Sequence, residues 1–316
     1  MGSGSRRPGH QTASVGQLAL SYAGQDILTN GATFPDSEAI VRSGKAASRM
    51  AKDWNSNWLN GGPIAPLPAR ATTSFANDVI EVVVTRLDVG PEAVRASARL
   101  LSDTERQRAS RFAFDRDRRR FIVARAWLRR LLSARLGVRP ETVELVYGAN
   151  GKPALAQRFA DSDLRFNVSH SDDVAVYAFA ARREIGVDVE AIRVIRDADD
   201  IAGRFFSRHE NEAYLALGPR DKPLGFFNCW TRKEAFIKAL GDGLYHPLDA
   251  FDVSLTPGEP ARILRVDDTP GADCGWSLDS FSPVSGFVAA VVIENPGHRF
   301  GRYAASLPWT RPAKAP

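Results

Sequence analysis

Two acidic residues stand two apart in Gly186-Val187-Asp188-Val189-Glu190, a segment whose β-branched residues read as a strand. Positions two apart on a strand project from one face, so Asp188 and Glu190 set their carboxylates side by side. Like charges so placed raise a pKa or recruit a cation. Hard oxygen donors of this kind suit Mg²⁺, which takes one or two carboxylates together with water and substrate phosphates. The same pair on a solvated edge would do a simpler job, deterring edge-to-edge pairing. Further on, Trp230-Thr231-Arg232-Lys233-Glu234-Ala235-Phe236-Ile237-Lys238 reads as helix, with Glu234 and Lys238 as i,i+4 neighbours. They form either a surface ion pair or a charged pair held for chemistry. Lys233 falls on the side of Phe226, Trp230, Ile237 and Leu240. An ammonium in an apolar stripe needs a partner or a route to water.

A third group is Phe166-Asn167-Val168-Ser169-His170-Ser171, a strand that runs into hydroxyl and imidazole donors. Such donors suit an anion, and a protonated His170 beside a phosphate would be stabilised. A turn histidine bonded to local backbone is the plainer alternative. Nothing nearby supplies a Ser-His-Asp triad. A fourth group is basic: Arg116, Arg118, Arg119, Arg120, Arg125, Arg129 and Arg130 crowd one stretch. Arg binds phosphate bidentately, although most of these read as a solvated helix face. Lys152, between Gly151 and Pro153, stands on a rigid turn with no evident structural reason for a lysine. The chain lacks a P-loop, a GxGxxG fingerprint, HExxH, CxxC and a GxSxG elbow.

The elements that must position these groups follow from periodicity. Residues 79–84 read as a strand, Ser102-Asp103-Thr104-Glu105 as a capping box opening a helix, and 115–136 as a long helix. Strands are predicted at 143–147, 164–168 and 174–180, with turns at Gly148-Ala149-Asn150-Gly151 and His170-Ser171-Asp172-Asp173. A strand at 185–190, a second capping box at Ser207-Arg208-His209-Glu210 and a long helix over 223–240 follow, stopped by Gly241-Asp242-Gly243. Further strands are expected at 251–255, 262–266, 276–281 and 286–293. Strand, long helix and several strands, twice over, make an α+β pattern of two similar halves joined near Arg183. The division expected is a poorly ordered leader over 1–75, an N-terminal half over 76–183, a C-terminal half over 184–300 and a tail over 301–316.

Composition narrows the classes. Of 316 residues, 44% are hydrophobic and 25% charged, which excludes collagen-like, mucin-like and wholly disordered chains. The net charge of +5 favours an anionic partner without naming it. Cys229 and Cys274 are the only cysteines, too few for a disulfide framework or a Cys-rich zinc site, and they fit a reducing, cytoplasmic compartment. No apolar run reaches the roughly 18 residues needed to span a bilayer. Arg6-Arg7 ahead of residues 15–23 faintly resembles an export signal, but Gln17 and Ser21 interrupt it.

In order along the chain, Gly151-Lys152-Pro153, Phe166 to Ser171, Gly186 to Glu190, Arg204-Phe205-Phe206-Ser207 with Glu210, and Trp230-x-x-Lys233-Glu234-x-x-x-Lys238 together resemble the Sfp-type 4'-phosphopantetheinyl transferases. The resemblance covers roughly residues 78–296. It implies two similar α/β halves related by a pseudo-twofold, with the ligand in the crevice between them. It also implies transfer of the phosphopantetheine arm of coenzyme A to a serine of an apo acyl or peptidyl carrier protein, releasing 3',5'-ADP. By the resemblance, Asp188, Glu190 and Glu234 would hold Mg²⁺, Lys238 would neutralise the pyrophosphate, and Glu234 is the candidate base. Ser169 and His170 would contact the nucleotide, as would Lys152 and Arg120, with Arg108 at a further basic position. Glu105 stands where some relatives have a lysine near the adenosine phosphate. The implied partners are coenzyme A and an acidic carrier, with no nucleic acid, no membrane and a monomeric chain. Two other readings share the residues: a Mg²⁺-dependent phosphoesterase or pyrophosphatase, and a non-catalytic basic binding protein.

Overall fold

The computed structural model describes residues 80–148, 151–241, 247–267, 269–270 and 275–294; the expected leader and tail lie outside them, as do Ala149, Asn150, Asp242 and Gly243 of the two expected turns. Two three-stranded antiparallel sheets organise the chain. The first joins β1 (Glu81–Arg86), β5 (Val174–Ala181) and β4 (Leu164–Ser171) in the order β1-β5-β4. The second joins β10 (Trp276–Phe281), β11 (Phe287–Glu294) and β6 (Ile185–Ala191) in the order β10-β11-β6. Short hairpins lie apart from them: β2 (Leu145–Tyr147) with β3 (Pro153–Leu155), and β7 (Phe251–Val253) with β8 (Ile263–Val266) and β9 (Thr269–Pro270).

Each sheet is apolar on both faces, so β5 and β11 read as nearly unbroken hydrophobic runs. Ala175, Tyr177 and Phe179 of β5 face Leu128, Leu131 and Leu132 of the long helix α3 (Asp115–Leu136). Val176, Ala178 and Ala180 turn the other way and meet Val187 and Val189 of β6 and Val291 of β11. Val288, Ala290 and Val292 then face Phe236 and Ile237 of α6 (Lys222–Leu240). The described layers are therefore helix, sheet, sheet, helix.

The pseudo-repeat is visible in the connectivity. In each half the first strand pairs with the last and the last with the one before it. Two short helices precede each long one: α1 (Pro91–Ala98) and α2 (Asp103–Ser110), then α4 (Ala198–Phe205) and α5 (Arg208–Leu215). Both predicted capping boxes are present, Ser102 with Glu105 and Ser207 with Glu210. Each boxed glutamate does a second job for the long helix that follows. Glu105 pairs with Arg129 of α3 at 2.6 Å, and Glu210 with Lys233 of α6 at 2.7 Å, both buried. The lysine in the apolar stripe thus has its partner, and its ammonium also donates to the carbonyls of Leu248 and Phe251, each at 2.6 Å.

Three differences from the sequence reading have physical causes. The helices α1 and α4 were not anticipated, because eight residues each give too few turns for a clear period. The strand expected at 164–168 continues to Ser171, so His170 and Ser171 belong to β4, and the turn narrows to Asp172-Asp173 with Asp172 at φ 47°. Residues 153–155 form a strand paired with β2.

Candidate active site

The two sheets meet along β4 and β6, and the seam is made by side chains. Asn167 Oδ1 accepts the Val187 N–H at 2.9 Å, Ser169 Oγ the Val189 N–H at 3.4 Å, and Ser171 Oγ the Ala191 N–H at 3.2 Å. The constant offset along both strands makes their alignment parallel. Short polar side chains at alternate positions of β4 therefore satisfy buried backbone donors that a missing ladder would leave open. The same alternation points Ser169 and Ser171 at the β6 carboxylates.

On its other side β6 lies directly on α6. A Cβ at Gly186 would stand 2.0 Å from the Ala235 carbonyl oxygen and 2.4 Å from the Ala239 nitrogen, so only glycine permits this approach. Two residues on, Asp188 meets the charged end of α6. Its Oδ1 accepts from Lys238 Nζ at 2.6 Å and from Ser169 Oγ at 2.7 Å, while Lys238 Nζ also lies 3.1 Å from Ser169 Oγ. Glu190 accepts from Ser171 Oγ at 2.8 Å, with Arg193 at 3.5 Å. Glu234, one turn before Lys238, is 1% exposed.

These carboxyls are far from their solution behaviour. Burial pushes Glu234 up to about 8, against the pull of Lys238. Burial, then the neighbouring Asp188 charge, pushes Glu190 up to about 7, opposed by Arg193, Ser171 and Lys238. With 21% of its side chain still open, water relieves part of that burial. Asp188 Oδ2 and Glu234 Oε2 are both buried with no hydrogen-bond partner among the described residues. Leaving such an atom unpaired costs roughly 1–3 kcal/mol. Among the described residues no three His, Cys, Asp or Glu side chains converge into a ready-made metal cage. What is present are two buried, unsatisfied carboxylate oxygens on two elements packed against each other, β6 and α6, and hard oxygen donors of this kind fit a cation that completes its shell with phosphate and water.

His170 sits between Ser169 and Ser171 and so faces away from the carboxylates. Crowding by protein, then Arg125, Lys238, Arg108 and Arg120, hold it below its usual value. Its residue surface is exposed, so water offsets the crowding and the cations carry the downward direction. Arg120 is committed to Asp88 through two bonds at 2.7 and 2.8 Å, with Asp172 at 3.7 Å. Arg108 lies over the Phe121 ring at 5.4 Å.

Several sequence expectations change. Lys152 has a structural task after all: its ammonium donates to the Lys238 carbonyl at 2.6 Å and lies 3.8 Å from Glu184, tying the β2–β3 hairpin to the end of α6. Glu105, the departure from the lysine of some relatives, is spent on the capping box and on Arg129. Arg116, Arg118 and Arg119 pair with Asp117 and Asp115 on a solvated helix face. Asn167 and Ser171 were noted only as members of their motif and Arg125 only as one of the clustered arginines; the bonds that Asn167 and Ser171 make to β6 were not anticipated. The period-two pattern of Asn167, Ser169 and Ser171 was the available signal for the first two.

Known proteins of similar sequence identify the family. Residues 184–292 match the model of the 4'-phosphopantetheinyl transferase superfamily, and residues 90–182 match that of the 4'-phosphopantetheinyl transferase N-terminal region. The two matches abut at the connection from β5 to β6. The 4'-phosphopantetheinyl transferase HetI of Nostoc sp. is 38% identical over 227 residues, 72% of this chain and 92% of that protein. The 4'-phosphopantetheinyl transferase Sfp of Bacillus subtilis is 32% identical over 196 residues, 62% and 83% of the two chains. The human L-aminoadipate-semialdehyde dehydrogenase-phosphopantetheinyl transferase is 29% identical over 169 residues, 51% and 55%. The chain belongs to the 4'-phosphopantetheinyl transferase superfamily. Within it, the protein is an enzyme of the Sfp type that transfers phosphopantetheine to carrier proteins.

Proposed function

We propose that the donor is coenzyme A, that the acceptor is a serine of an acidic apo acyl or peptidyl carrier protein, and that Mg²⁺ is the cofactor, held by Asp188, Glu190 and Glu234. The observation that carries this reading is the buried, unsatisfied oxygen on each of Asp188 and Glu234, with Asp188 also holding the Lys238 ammonium at 2.6 Å. A divalent ion bound there would offset the charge of the pyrophosphate and of the departing phosphate.

The chain's own residues do the rest. Lys238 presents an ammonium to the pyrophosphate from the end of α6. Ser169 and Ser171 orient Asp188 and Glu190, so that the strand carboxylates are aimed before substrate arrives. Glu234 takes the proton of the incoming serine hydroxyl. The serine oxygen bonds to the phosphorus that carries the pantetheine arm, and the bridging oxygen leaves with 3',5'-ADP. Such transfers need positioning and charge neutralisation more than covalent help from the protein. A carboxyl ionising near neutrality is suited to the base role. The substrate lies at the seam between the halves, where β4 and β6 bring their polar residues together. His170 and Arg108, with Arg120 beyond them, border the nucleotide, and Lys152 borders it from the hairpin. No described helix is long and apolar enough to cross a membrane, and the reading is of a cytoplasmic monomer.

The test is incubation with coenzyme A, Mg²⁺ and apo carrier proteins, read by the mass of the carrier. A gain of one pantetheine arm, dependent on Mg²⁺ and lost in Asp188→Asn, is expected. Breakdown of coenzyme A without carrier, and no mass gain on any carrier, would instead indicate a phosphoesterase.

A further inference from the structure

One side-chain cation is shared by the three acids proposed as metal ligands. Lys238 Nζ lies 2.6 Å from Asp188 Oδ1, on a carboxylate whose other oxygen, Oδ2, is buried with no hydrogen-bond partner among the described residues. Its charge also reaches the other two acids. Burial raises Glu234, and Lys238 opposes that rise. Burial and then the Asp188 charge raise Glu190, and Lys238 opposes them together with Arg193 and Ser171. The ammonium thus serves as a counter-charge to the whole acidic set before any ligand arrives.

The two members of the ion pair are not equally free to move. Asp188 is held: its side chain is 6% exposed, and Ser169 Oγ donates at 2.7 Å to the oxygen that takes the ammonium. Lys238 is 20% exposed and stands in the last turn of α6 on a flexible four-carbon stem. The Lys152 ammonium on its carbonyl ties down its backbone, 2.6 Å away, and leaves the stem to swing. The acid therefore stays while the ammonium is able to leave. A divalent ion on Asp188 Oδ2 would meet a like charge already seated on Oδ1. Such repulsion is strong where protein excludes water. An anion that draws the ammonium away relieves it.

Resting on the proposed Mg²⁺ and coenzyme A reading, we propose that Lys238 is a place-holding cation, which opposes the metal at Asp188 in the free protein and gives way when the pyrophosphate of the donor takes its ammonium. The one side chain then couples two ligands. Metal and donor each bind more tightly when the other is present, and by the same factor, as linkage requires.

The experiment is Mn²⁺ titration followed by electron paramagnetic resonance, with and without coenzyme A, corrected for the Mn²⁺ that coenzyme A binds in solution. It uses wild type, Lys238→Met, Lys238→Gln and, as a control for the loss of one positive charge, Lys222→Met. Lys222 opens the same helix and pairs with Asp199, about 24 Å along the axis from Lys238. Wild type should bind Mn²⁺ at least tenfold more tightly with coenzyme A than without. Lys238→Met should bind Mn²⁺ alone at least fivefold more tightly than wild type, and its gain from coenzyme A should be at least fivefold smaller. Lys222→Met should match wild type within twofold in both conditions. If the Met variant does not fold, Lys238→Gln, which keeps a polar donor without the charge, carries the same comparison. Mn²⁺ affinity without coenzyme A that is equal or weaker in the Lys238 variants overturns the proposal, because a lysine that merely supports the site would not oppose the ion. An undiminished gain from coenzyme A, or the same changes in Lys222→Met, overturns it too. A wild-type protein that binds Mn²⁺ neither alone nor with coenzyme A overturns the metal reading beneath it, and one that binds Mn²⁺ but not coenzyme A overturns the donor reading.

Discussion

At the residue scale the account rests on carboxyls held in the wrong environment for their charge. Glu234 is raised from 4.5 to about 8 by burial, so the folded protein binds a proton there that the unfolded chain releases at a lower pH. Native protein then carries more protons than unfolded protein between those two values, and stability falls as pH rises through that window. Glu190, raised to about 7, acts in the same direction. A divalent ion prefers the ionised carboxylates and should restore what the rise in pH removes. The thermal shift produced by Mg²⁺ in the free protein is therefore expected to be several-fold larger at pH 8 than at pH 5.5. In Glu234→Gln that pH dependence should flatten; an equal shift at both pH values in wild type would remove the raised carboxyls from the account. Much of this scale was legible beforehand. Asp188 and Glu190 were visible as a strand pair, and Glu234 with Lys238 as a helix pair. Arg125 stood only among the other arginines of its stretch, because nothing local distinguishes it from Arg116 or Arg119, and only the fold shows that it is buried. The structural task of Lys152 was hidden for a related reason: its partner carbonyl, on Lys238, lies 86 residues away.

At the element scale, strand β6 is the piece that everything else is fitted to. Gly186 lets it sit on α6, and Asn167, Ser169 and Ser171 stitch it to β4. Gly186→Ala places a methyl group against backbone atoms that cannot swing aside. The strand must lift, at a cost of about 1–3 kcal/mol for such overpacking, and Asp188 must move away from Lys238. The expected result is a lower melting temperature together with at least a tenfold loss of kcat, and the loss should persist at temperatures where the variant is fully folded. Activity at wild-type level in that variant would mean that the β6–α6 contact does not position the carboxylate. The long helices and both capping boxes were readable, since Ser102 to Glu105 and Ser207 to Glu210 carry their signal within four residues. The short helices α1 and α4 were not, and neither was the seam. The seam replaces a main-chain ladder by side-chain bonds, and a sequence gives no sign of which strand edge will be its partner.

At the scale of the whole molecule, the repeat is structural and the chemistry is not repeated. Both halves share the strand order, the capping box and the buried glutamate–cation pair, Glu105 with Arg129 and Glu210 with Lys233. Among the described residues, only the second half buries acids beyond that frame. Where β6 turns Asp188 and Glu190 toward its helix, β1 turns Val83 into the core with Thr85 beyond it. After its buried cation α3 continues with Arg130, and α6 with Glu234. On the proposed reading one half would supply the ion's donors and the other Ser169, Ser171 and His170. The chain should bind one divalent ion and not two. The direct measurement is Mn²⁺ titration followed by electron paramagnetic resonance, with coenzyme A present, on wild type, Asp188→Asn and Glu234→Gln. One ion per chain in wild type, weakened at least tenfold in each variant, is the expected result. Two equivalent ions per chain, or wild-type affinity in both variants, would contradict a single metal held between β6 and α6.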